Sequence, residues 1–420
     1  MTTSVPLAQR AGGPDLARGL ALLGIALANL VGWLHGSAWT VLLKQADAGP
    51  ADRAVDVLLA LLVDNRGFPL FALLFGYGIG ILRRRSLARG ERSGRFLRRM
   101  LRRHLVLLAI GLAHAILLFS GDILVPYAII GMLCAVLVTR HRLLLAAAAL
   151  VTLPVLGVWG WGDGTIGLGQ GTGYAAASAP DYRAGIGIRA PDALRAMLLA
   201  PIEELGLLAP MALGALMARV RLLEDVPAHR RRLAQLTRWG LGAGLLGAMP
   251  LTTVLVLDPA HAHLDSELLL GLLGVLHQIS GLAGGIGLAA AAALIAERWR
   301  PRPVLAAARS VPAARALRVG VVVRAVEALG AVSLSAYLAQ SLLCLALFPP
   351  YTLDLGARLG SSGAAVLVFA GWLVMLPLAD LLRRHGRRGP MEQALRLLAG
   401  SGAHRSARDP RSARARGGAR

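Results

Sequence analysis

Long apolar runs separated by short polar segments dominate the sequence. Ten of these runs are long enough to cross a membrane as helices, which takes roughly 20 residues each. They cover about 16–34, 67–83, 102–119, 123–139, 142–160, 200–218, 236–257, 269–296, 327–347 and 363–382. A further run at 54–63 is too short to cross and is expected to lie at the membrane interface. The pattern predicts an all-α polytopic membrane protein with about ten transmembrane helices.

The arginines predict which side of the membrane each loop faces. Ten of them fall in 83–103, six in 219–238, seven in 297–325 and eleven after Leu382. With ten spans, all four segments come out on the same side of the membrane. Because positively charged loops stay in the cytoplasm, we expect both termini to be cytoplasmic.

The charge balance of the chain also bears on its partners. The 420 residues carry a formal net charge of +22, and Lys44 is the single lysine. Such an excess of positive charge can indicate nucleic acid. Here the arginines lie between apolar runs, where they set topology and contact anionic lipid headgroups. We therefore expect membrane lipids and no nucleic acid as partners, while the oligomeric state stays open.

One integral membrane domain is expected to cover residues 1–400. It divides into an N-terminal half, 1–160, and a C-terminal part at about 200–400. The glycine-rich segment between them, 159–195, is predicted to be a long flexible loop or a partial lid. The remaining residues, 401–420, form a basic low-complexity tail that is predicted to be disordered.

Polar residues inside the apolar runs fall mostly in the outer half of the membrane, counting ~1.5 Å of rise per helical residue. A charged side chain in hydrocarbon costs at least ~2.5–3.5 kcal/mol, so it usually faces the protein interior or a watery cavity. Some of these residues could instead only cap helix ends, which suits Glu203 and Glu204 best. Gln278 and Ser341 lie at a similar depth. We expect an outward-facing substrate cavity, and its predicted lining residues are Asn29, Arg66, Tyr127, His277 and Gln340.

The stretch 111–133 contains the strongest candidates for chemistry, His114 and Asp122. His114 lies in one apolar run, and Asp122 lies in the tight turn 120–122 that leads into the next run. A neutral histidine here could act as a general base, whereas the plainer interpretation is a packing contact plus a capping carboxylate. Eight residues of helix correspond to about 12 Å, so the two side chains are not expected to bond to each other. Candidate partners from other runs are Asn29, Arg66, His277 and Gln340.

The loop 258–267 contains a second pair of histidines, His261 and His263. A His-x-His pair can contribute to a metal site, which usually needs three or four protein ligands. No further run of strong ligands accompanies this pair in the sequence. We therefore predict no metal site.

Six motifs spread over almost the whole chain carry a family resemblance. They are DLARGLALLGIALANL at 15–30, FPLFALLFGYG at 68–78, GLAHAILLFSGDILVPYAIIG at 111–131, LGALMARVRLL at 213–223, GAVSLSAYLAQS at 330–341 and GPMEQALR at 389–396. Together they make the chain resemble the YeiB family of bacterial inner-membrane proteins, whose C-terminal half is a domain of unknown function. Two places depart from the family pattern. The family usually has Thr-Asn before Tyr337, where this chain has Ser335-Ala336, and a Trp where it has Gln393.

The YeiB family is distantly similar to transmembrane acyltransferases, including those that acetylate lysosomal heparan sulfate and bacterial surface sugars. The resemblance implies a multi-pass protein of the bacterial cytoplasmic (inner) membrane. It also implies acyl transfer from cytoplasmic acyl-CoA to an envelope sugar or lipid on the outer side. A histidine serves the reaction in those relatives, and His35 and His114 are both candidates here. Arg18, with Asp15 beside it, is predicted to hold CoA phosphates, because a guanidinium binds phosphate bidentately.

Two other functions stay open at this point. A transporter would line a substrate path with the same polar residues, but the chain shows no convincing inverted repeat of the kind common in transporters. A scaffold or partner subunit would carry no chemistry at all. The sequence alone does not choose between an enzyme, a transporter and a scaffold.

Overall fold

The described part of the chain is helical throughout. The computed structural model describes residues 12–169, 171–299 and 313–400, so the tail at 401–420 lies outside it. The helices are α1 (Gly12–Ala28), α2 (Pro50–Leu62), α3 (Gly67–Ala88), α4 (Ser93–Leu117), α5 (Leu124–Leu137), α6 (Arg142–Thr165), α7 (Tyr182–Glu203), α8 (Leu208–Arg219), α9 (Val226–Leu257), α10 (Glu267–Arg298), α11 (Ala313–Ala331), α12 (Ser333–Leu347), α13 (Leu355–Arg358), α14 (Ser361–Arg384) and α15 (Pro390–Leu398). Short 3-10 turns cover Asn29–Gly32, Val41–Leu43, Ile166–Leu168 and Leu205–Leu207. Within these ranges there is no β-strand.

The length and apolarity of the helices confirm an all-α polytopic membrane protein. In the described chain, seven segments are each long and apolar enough to cross a membrane: Gly12–Gly32, Pro50–Ala88, Ser93–Leu117, Arg142–Leu168, Val226–Leu257, Glu267–Arg298 and Ser361–Arg384. Two bent pairs raise the number to nine, namely α7 with α8 and α11 with α12. The one remaining predicted run, 123–139, corresponds to α5, which has 14 residues. The short run at 54–63 lies in α2, which continues across the turn at 63–66 into α3, and the two helices together form the apolar segment Pro50–Ala88.

Glycines allow the central helices to approach one another closely. A Cβ atom on Gly214 of α8 would lie 1.8 Å from the carbonyl oxygen of Leu73 in α3. A Cβ atom on Gly274 of α10 would lie 1.8 Å from the carbonyl oxygen of Gly160 in α6. Small residues at such crossings are how membrane helices bring their backbones together. The pairs α3–α8 and α6–α10 therefore form a tightly packed centre for the bundle.

The arginine-rich segments meet at one end of this bundle. Arg84, at the end of α3, forms an ion pair with Glu224 in the connection between α8 and α9. Arg219 donates from its side chain to the carbonyl oxygens of Val138 and Arg140, at 3.1 and 2.9 Å. These contacts gather three basic connections on one side, as the positive-inside rule requires for cytoplasmic loops.

The segment predicted to be a flexible loop, 159–195, is mostly helical. The helix α6 runs to Thr165, and α7 begins at Tyr182, where the Asp181 carboxylate accepts from the Ala184 N–H at 2.8 Å. Arg189 of α7 donates to the carbonyl oxygen of Ile116 at 2.8 Å and so joins α7 to the end of α4. The prediction of a flexible loop was wrong because glycine and proline obscured a capped helix that packs on its neighbours.

The predicted span 327–347 is broken at Val332, where α11 and α12 meet at 88°. The carboxylate of Glu392, on α15, caps the N-terminus of α12. It accepts from the N–H groups of Leu334 and Ser335 at 2.7 and 3.2 Å and from the Ser335 hydroxyl at 2.6 Å. The unpaired N–H groups at a helix start need such an acceptor. The last helix of the described chain thereby fixes the beginning of α12.

Candidate functional site

His114 and Asp122 are directly hydrogen-bonded at the end of the bundle away from the arginines. The helix α4 ends at Leu117, and the chain turns back through Ser120 and Gly121 before α5 begins. The His114 Nδ1 therefore lies 2.7 Å from the Asp122 Oδ1. The expectation that these side chains could not bond was wrong, because helical rise does not apply across a reversal of the chain.

Asp122 is held by a second contact that fixes its direction. Its Oδ2 accepts from the N–H of Val125, in the first turn of α5, at 2.7 Å. The side chain is 3% exposed and the side chain of His114 is 0% exposed. Asp122 is thus both a cap of α5 and the hydrogen-bond partner of His114.

The other ring nitrogen of His114 contacts Ser341, which lies on α12. The distance from the His114 Nε2 to the Ser341 Oγ is 2.8 Å. A carboxylate can only accept, so the neutral ring must carry its proton on Nδ1 and leave Nε2 free to accept from the serine hydroxyl. The three side chains form a continuous relay from carboxylate to imidazole to hydroxyl. The sequence placed Ser341 at a suitable depth but held no signal for this contact across 227 residues.

Tyr337, one helical turn before Ser341, packs against the relay. Its ring centroid lies 4.8 Å from that of His114. Its hydroxyl accepts from the N–H of Ile123 at 3.4 Å. The tyrosine is 3% exposed, so it closes one side of the imidazole and ties α12 to the turn that carries Asp122.

A cavity of about 340 Å³ adjoins Asp122. Its polar lining residues are Asn29, Asn65, Ser120, Asp122, Tyr127, Asp192 and Glu204, and its other aromatic residues are Phe68 and Trp159. Two of the predicted lining residues, Asn29 and Tyr127, are therefore present. His114 and Ser341 are not among the residues that line it: His114 lies behind Asp122, and Ser341 lies behind His114. The helix α7, which sequence reasoning missed, supplies Asp192.

His277 and Arg66 belong to a separate polar cluster instead of lining this cavity. The His277 Nε2 lies 2.9 Å from the carbonyl oxygen of Ala60. Asn65 lies 3.1 Å from the His277 Nδ1 and donates to the Asp163 carboxylate at 2.7 Å. The guanidinium of Arg66 donates to backbone carbonyl oxygens, among them that of Asp64. Asn65 alone faces both this cluster and the cavity.

Gln340 is likewise not a cavity residue. Its side-chain nitrogen donates to the carbonyl oxygen of Leu22, in α1, at 3.4 Å. Gln340, His277 and Arg66 are not among the residues that line this cavity, because depth along a helix does not specify which face a residue occupies. Gln340 instead attaches α12 to α1.

Arg18 and Asp15 lie near the arginine-rich end and bind each other. The guanidinium of Arg18 donates to the Asp15 carboxylate at 2.7 Å and to the carbonyl oxygen of Leu74 at 3.3 Å. The arginine side chain keeps 22% exposure. A role in binding an anionic donor stays a prediction for these two residues.

The remaining histidine candidates lie apart from the relay. His35 lines a separate small cavity with Lys44 and Ser361, and its burial lowers the pKa of its imidazole below the usual value, against the opposing charge of Asp354. His261 contacts Thr40 and the carbonyl oxygen of Leu264. Among the described residues, no group of three or more His, Cys, Asp or Glu side chains is arranged to hold a metal.

Comparisons with known proteins agree with the resemblance drawn from the motifs. The chain is 31% identical over 128 residues to "Uncharacterized protein YxaH" of Bacillus subtilis (strain 168), covering 29% of this chain and 31% of the relative. It is 38% identical over 129 residues to "Uncharacterized 39.9 kDa protein in amylase 3'region" of Bacillus acidopullulyticus, covering 31% and 34%. It is 36% identical over 124 residues to "Uncharacterized protein YeiB" of Escherichia coli (strain K12), covering 29% of each chain.

Each of these matches spans about a third of the relative's length or less. Residues 217–401 match the family described as "Protein of unknown function (DUF418)". That match includes Ser341 and Glu392 but not His114 or Asp122. These partial matches support the resemblance to the YeiB family, and the C-terminal part of this chain is similar to the DUF418 family.

Proposed function

We propose that this chain is a membrane acyltransferase. In the proposed reaction, an acyl group passes from a cytoplasmic acyl donor, with acyl-CoA as the simplest choice, to an envelope sugar or lipid on the outer side. The observation that carries the proposal is the buried imidazole of His114, held between a carboxylate and a hydroxyl beside a polar cavity. The resemblance to transmembrane acyltransferases supports the same reaction class.

The relay has the parts that acyl transfer requires of a base. An acceptor hydroxyl or amine must lose a proton as it attacks the acyl carbon, and a neutral Nε2 can take it. Asp122 fixes the proton on Nδ1 and stabilises the imidazolium that forms. General-base help of this kind is worth roughly 10²–10⁴ in rate.

The cavity suits an acceptor better than it suits the phosphates of a CoA donor. Asp122, Asp192 and Glu204 line it, and its described lining includes no lysine, arginine or histidine. Phosphate groups would meet like charge there, whereas hydroxyl or amine groups would find acceptors. The rings of Phe68 and Trp159, whose centroids lie 5.5 Å apart, add an apolar face.

The donor is assigned in this proposal to the opposite, arginine-rich end. Arg18 and the segment 83–103 supply positive charge there, and Arg18 is partly exposed. Guanidinium groups match phosphate geometry. Separate ends for a charged donor and a polar acceptor are what transfer across a membrane needs.

The test is a comparison of two histidine variants on the same helix. His114→Gln keeps hydrogen-bonding capacity but removes the base. His104→Gln is the matched control, because His104 is also buried in α4 and its Nδ1 lies 2.7 Å from the carbonyl oxygen of Met100 in the same helix. The full-length protein in liposomes would receive acetyl-CoA on one side and glucosamine, an acceptor probe, on the other.

We expect the wild type and His104→Gln to release CoA and acetylate the probe, and His114→Gln to lose roughly 10²-fold or more of that rate. The role of His114 as the base is wrong if His114→Gln acetylates at the rate of His104→Gln, and the proposed function is wrong if the wild type acetylates no acceptor. Repetition with other hydroxyl- and amine-bearing acceptors would establish whether the wild type acetylates at all.

The second candidate is a transporter, and the broken helices favour it. Transporters often place substrate sites at discontinuous helices, and α7–α8 and α11–α12 are bent by 55° and 88°. At the second break, however, the Glu392 carboxylate already occupies the start of α12. Uptake of labelled glucosamine into liposomes without any acyl donor would support transport instead.

A further inference from the structure

We propose that Ser341 is the nucleophile of the reaction and carries the acyl group as an ester. This inference rests on the proposed acyl transfer and adds a covalent intermediate to it. The geometry that carries it is the unbroken relay from the Asp122 carboxylate through the His114 ring to the Ser341 hydroxyl, at 2.7 and 2.8 Å. A hydroxyl bonded to a base that is itself oriented by a third group is how serine nucleophiles are activated.

The shorter of the two contacts of the Ser341 hydroxyl is the one to His114. Its other contact is the carbonyl oxygen of Tyr337, one turn earlier in α12, at 3.4 Å. The distance to the His114 Nε2 is 0.6 Å shorter, within the usual range for a hydrogen bond. Serines in helices often bond only to the preceding turn, whereas this serine has in addition a shorter contact to a histidine of another helix.

A packing contact would not need the carboxylate. Neutral serine and histidine can join two helices by one hydrogen bond, worth about 0.6 kcal/mol in membrane proteins. Adding the buried charge of Asp122 carries a desolvation cost. That charge is useful when the imidazole must become positive, which happens only if a proton moves onto its Nε2.

The position of Ser341 is fixed from three directions. The Glu392 carboxylate holds the start of α12 at Leu334 and Ser335. Gln340, the residue before the serine, donates to α1 at 3.4 Å. Tyr337 contacts the turn that carries Asp122. A nucleophile needs such a supported element, because small displacements from the productive geometry reduce the rate steeply.

In the first half-reaction, the Ser341 Oγ attacks the carbonyl carbon of an acyl thioester. The new C–O bond forms, the C–S bond breaks, and the serine proton moves to the His114 Nε2 and then to the leaving thiolate. The products are a free thiol and an acyl ester on Ser341. Asp122 stays a carboxylate throughout and faces the Nδ1–H.

In the second half-reaction, an acceptor hydroxyl or amine attacks the ester carbon. Its proton passes to the His114 Nε2, the bond to the Ser341 Oγ breaks, and the serine recovers its proton from the ring. The acyl group leaves on the acceptor, and the relay returns to its first state. Donor and acceptor therefore need not be bound at the same time.

The experiment incubates the purified full-length protein with acetyl-CoA in the absence of any acceptor. We expect intact-protein mass spectrometry to show a gain of one acetyl group, and peptide mapping to place it on Ser341. Ser341→Ala should show no gain. The matched control is Ser280→Ala, since Ser280 is a buried serine of α10 whose hydroxyl donates to the carbonyl oxygen of His277, one turn earlier in the same helix, at 3.0 Å.

A second readout separates a nucleophile from a structural serine. A covalent intermediate allows labelled CoA to exchange into acetyl-CoA without acceptor. If Ser341 had only a packing role, a folded Ser341→Ala protein would exchange CoA like the wild type. We expect exchange in the wild type and Ser280→Ala, and at least a hundredfold loss in Ser341→Ala. Ser341→Cys covers the case in which the alanine variant fails to fold, because a thiol in the same place should still become acylated.

The inference is overturned if a folded Ser341→Ala protein still transfers acetyl groups and exchanges CoA. With His114→Gln inactive, that outcome leaves acyltransferase function intact, with His114 acting directly on the acceptor. If both variants turn over like the wild type, the proposed roles of Ser341 and His114 are both wrong. If the wild type itself releases no CoA and acetylates no acceptor, the proposed function fails.

Discussion

Replacing Asp122 by asparagine should move the proton of the neutral His114 ring from Nδ1 to Nε2. The carboxylate now accepts twice, from the His114 Nδ1–H and from the Val125 N–H, each at 2.7 Å. An amide of the same shape has one accepting and one donating end. If its oxygen faces Val125, its NH₂ group must face Nδ1, and the ring proton then has to lie on Nε2.

The opposite orientation of the amide is the less stable one. With the oxygen toward His114, the NH₂ group would point at the N–H of Val125, and two buried donors would face each other. A buried donor left unpaired costs about 1–3 kcal/mol. The orientation that satisfies Val125 should therefore dominate, and in it the Nε2–H can no longer accept a proton from Ser341 or an acceptor.

The expected loss of rate is that of general-base catalysis, roughly 10²–10⁴. At about 1.36 kcal/mol per factor of ten, this corresponds to about 2.7–5.4 kcal/mol of activation free energy. The midpoint of thermal unfolding should change little, because both hydrogen bonds of the side chain are kept. A large loss of rate with little change in stability is what a change of the His114 tautomer predicts.

Two measurements examine this prediction. The ¹⁵N spectrum of histidine-labelled protein, with His114 assigned from the His114→Gln difference, should show the proton on Nδ1 in the wild type and on Nε2 in Asp122→Asn. CoA release from acetyl-CoA gives the rate. Asp181→Asn is the control, because Asp181 also accepts a helix N–H but touches no histidine. An unchanged tautomer with an unchanged rate would refute the reasoning.

Two further predictions concern packing and pH. Gly160→Ala should lower the free energy of unfolding by about 1–3 kcal/mol, since its Cβ would lie 2.2 Å from a carbonyl oxygen of α10. The control Gly162→Ala should leave stability unchanged, because its Cβ would have nothing within 4 Å. Equal unfolding midpoints of the two variants in detergent would contradict this prediction. The N–H groups of His263, Leu264 and Ala262 lower the pKa of Asp258, so its contribution to folding is present above the usual carboxyl pKa and lost as the pH falls through the lowered value. Protection of these three amides from hydrogen exchange should therefore disappear in acid, and protection that persists there would contradict the assignment.

Apolar runs were sufficient to predict most of the helices but not their faces. Nine of the ten predicted runs coincide with a long helix or fall within a bent pair of helices, because burial in a membrane needs continuous apolar length. The depth of Asn29, Tyr127 and His277 was also inferred from position along each run. Only contact between helices decides that Asn29 and Tyr127 line the cavity while His277 faces Ala60.

The relay shows where sequence reasoning lacked information. His114 and Asp122 were identified as candidates because ionisable groups in apolar segments are costly, yet their contact depends on the turn at Ser120, which a count of helical rise overlooks. Ser341 carries no charge and resembles any helix-packing serine. Its role becomes visible only when α12 lies against α4, 227 residues away in the chain.

Three of the six motifs that carry the family resemblance supply the relay or hold the helix that bears Ser341. The stretch 111–131 supplies His114 and Asp122, and 330–341 ends at Ser341. The stretch 389–396 supplies Glu392, whose carboxylate binds the hydroxyl of Ser335 at 2.6 Å. Where the family usually has threonine, this serine keeps the hydroxyl that Glu392 needs, whereas the usual asparagine is replaced by the buried Ala336. The chain therefore retains the contact that positions α12 and lacks an amide that the Ser341 relay does not use.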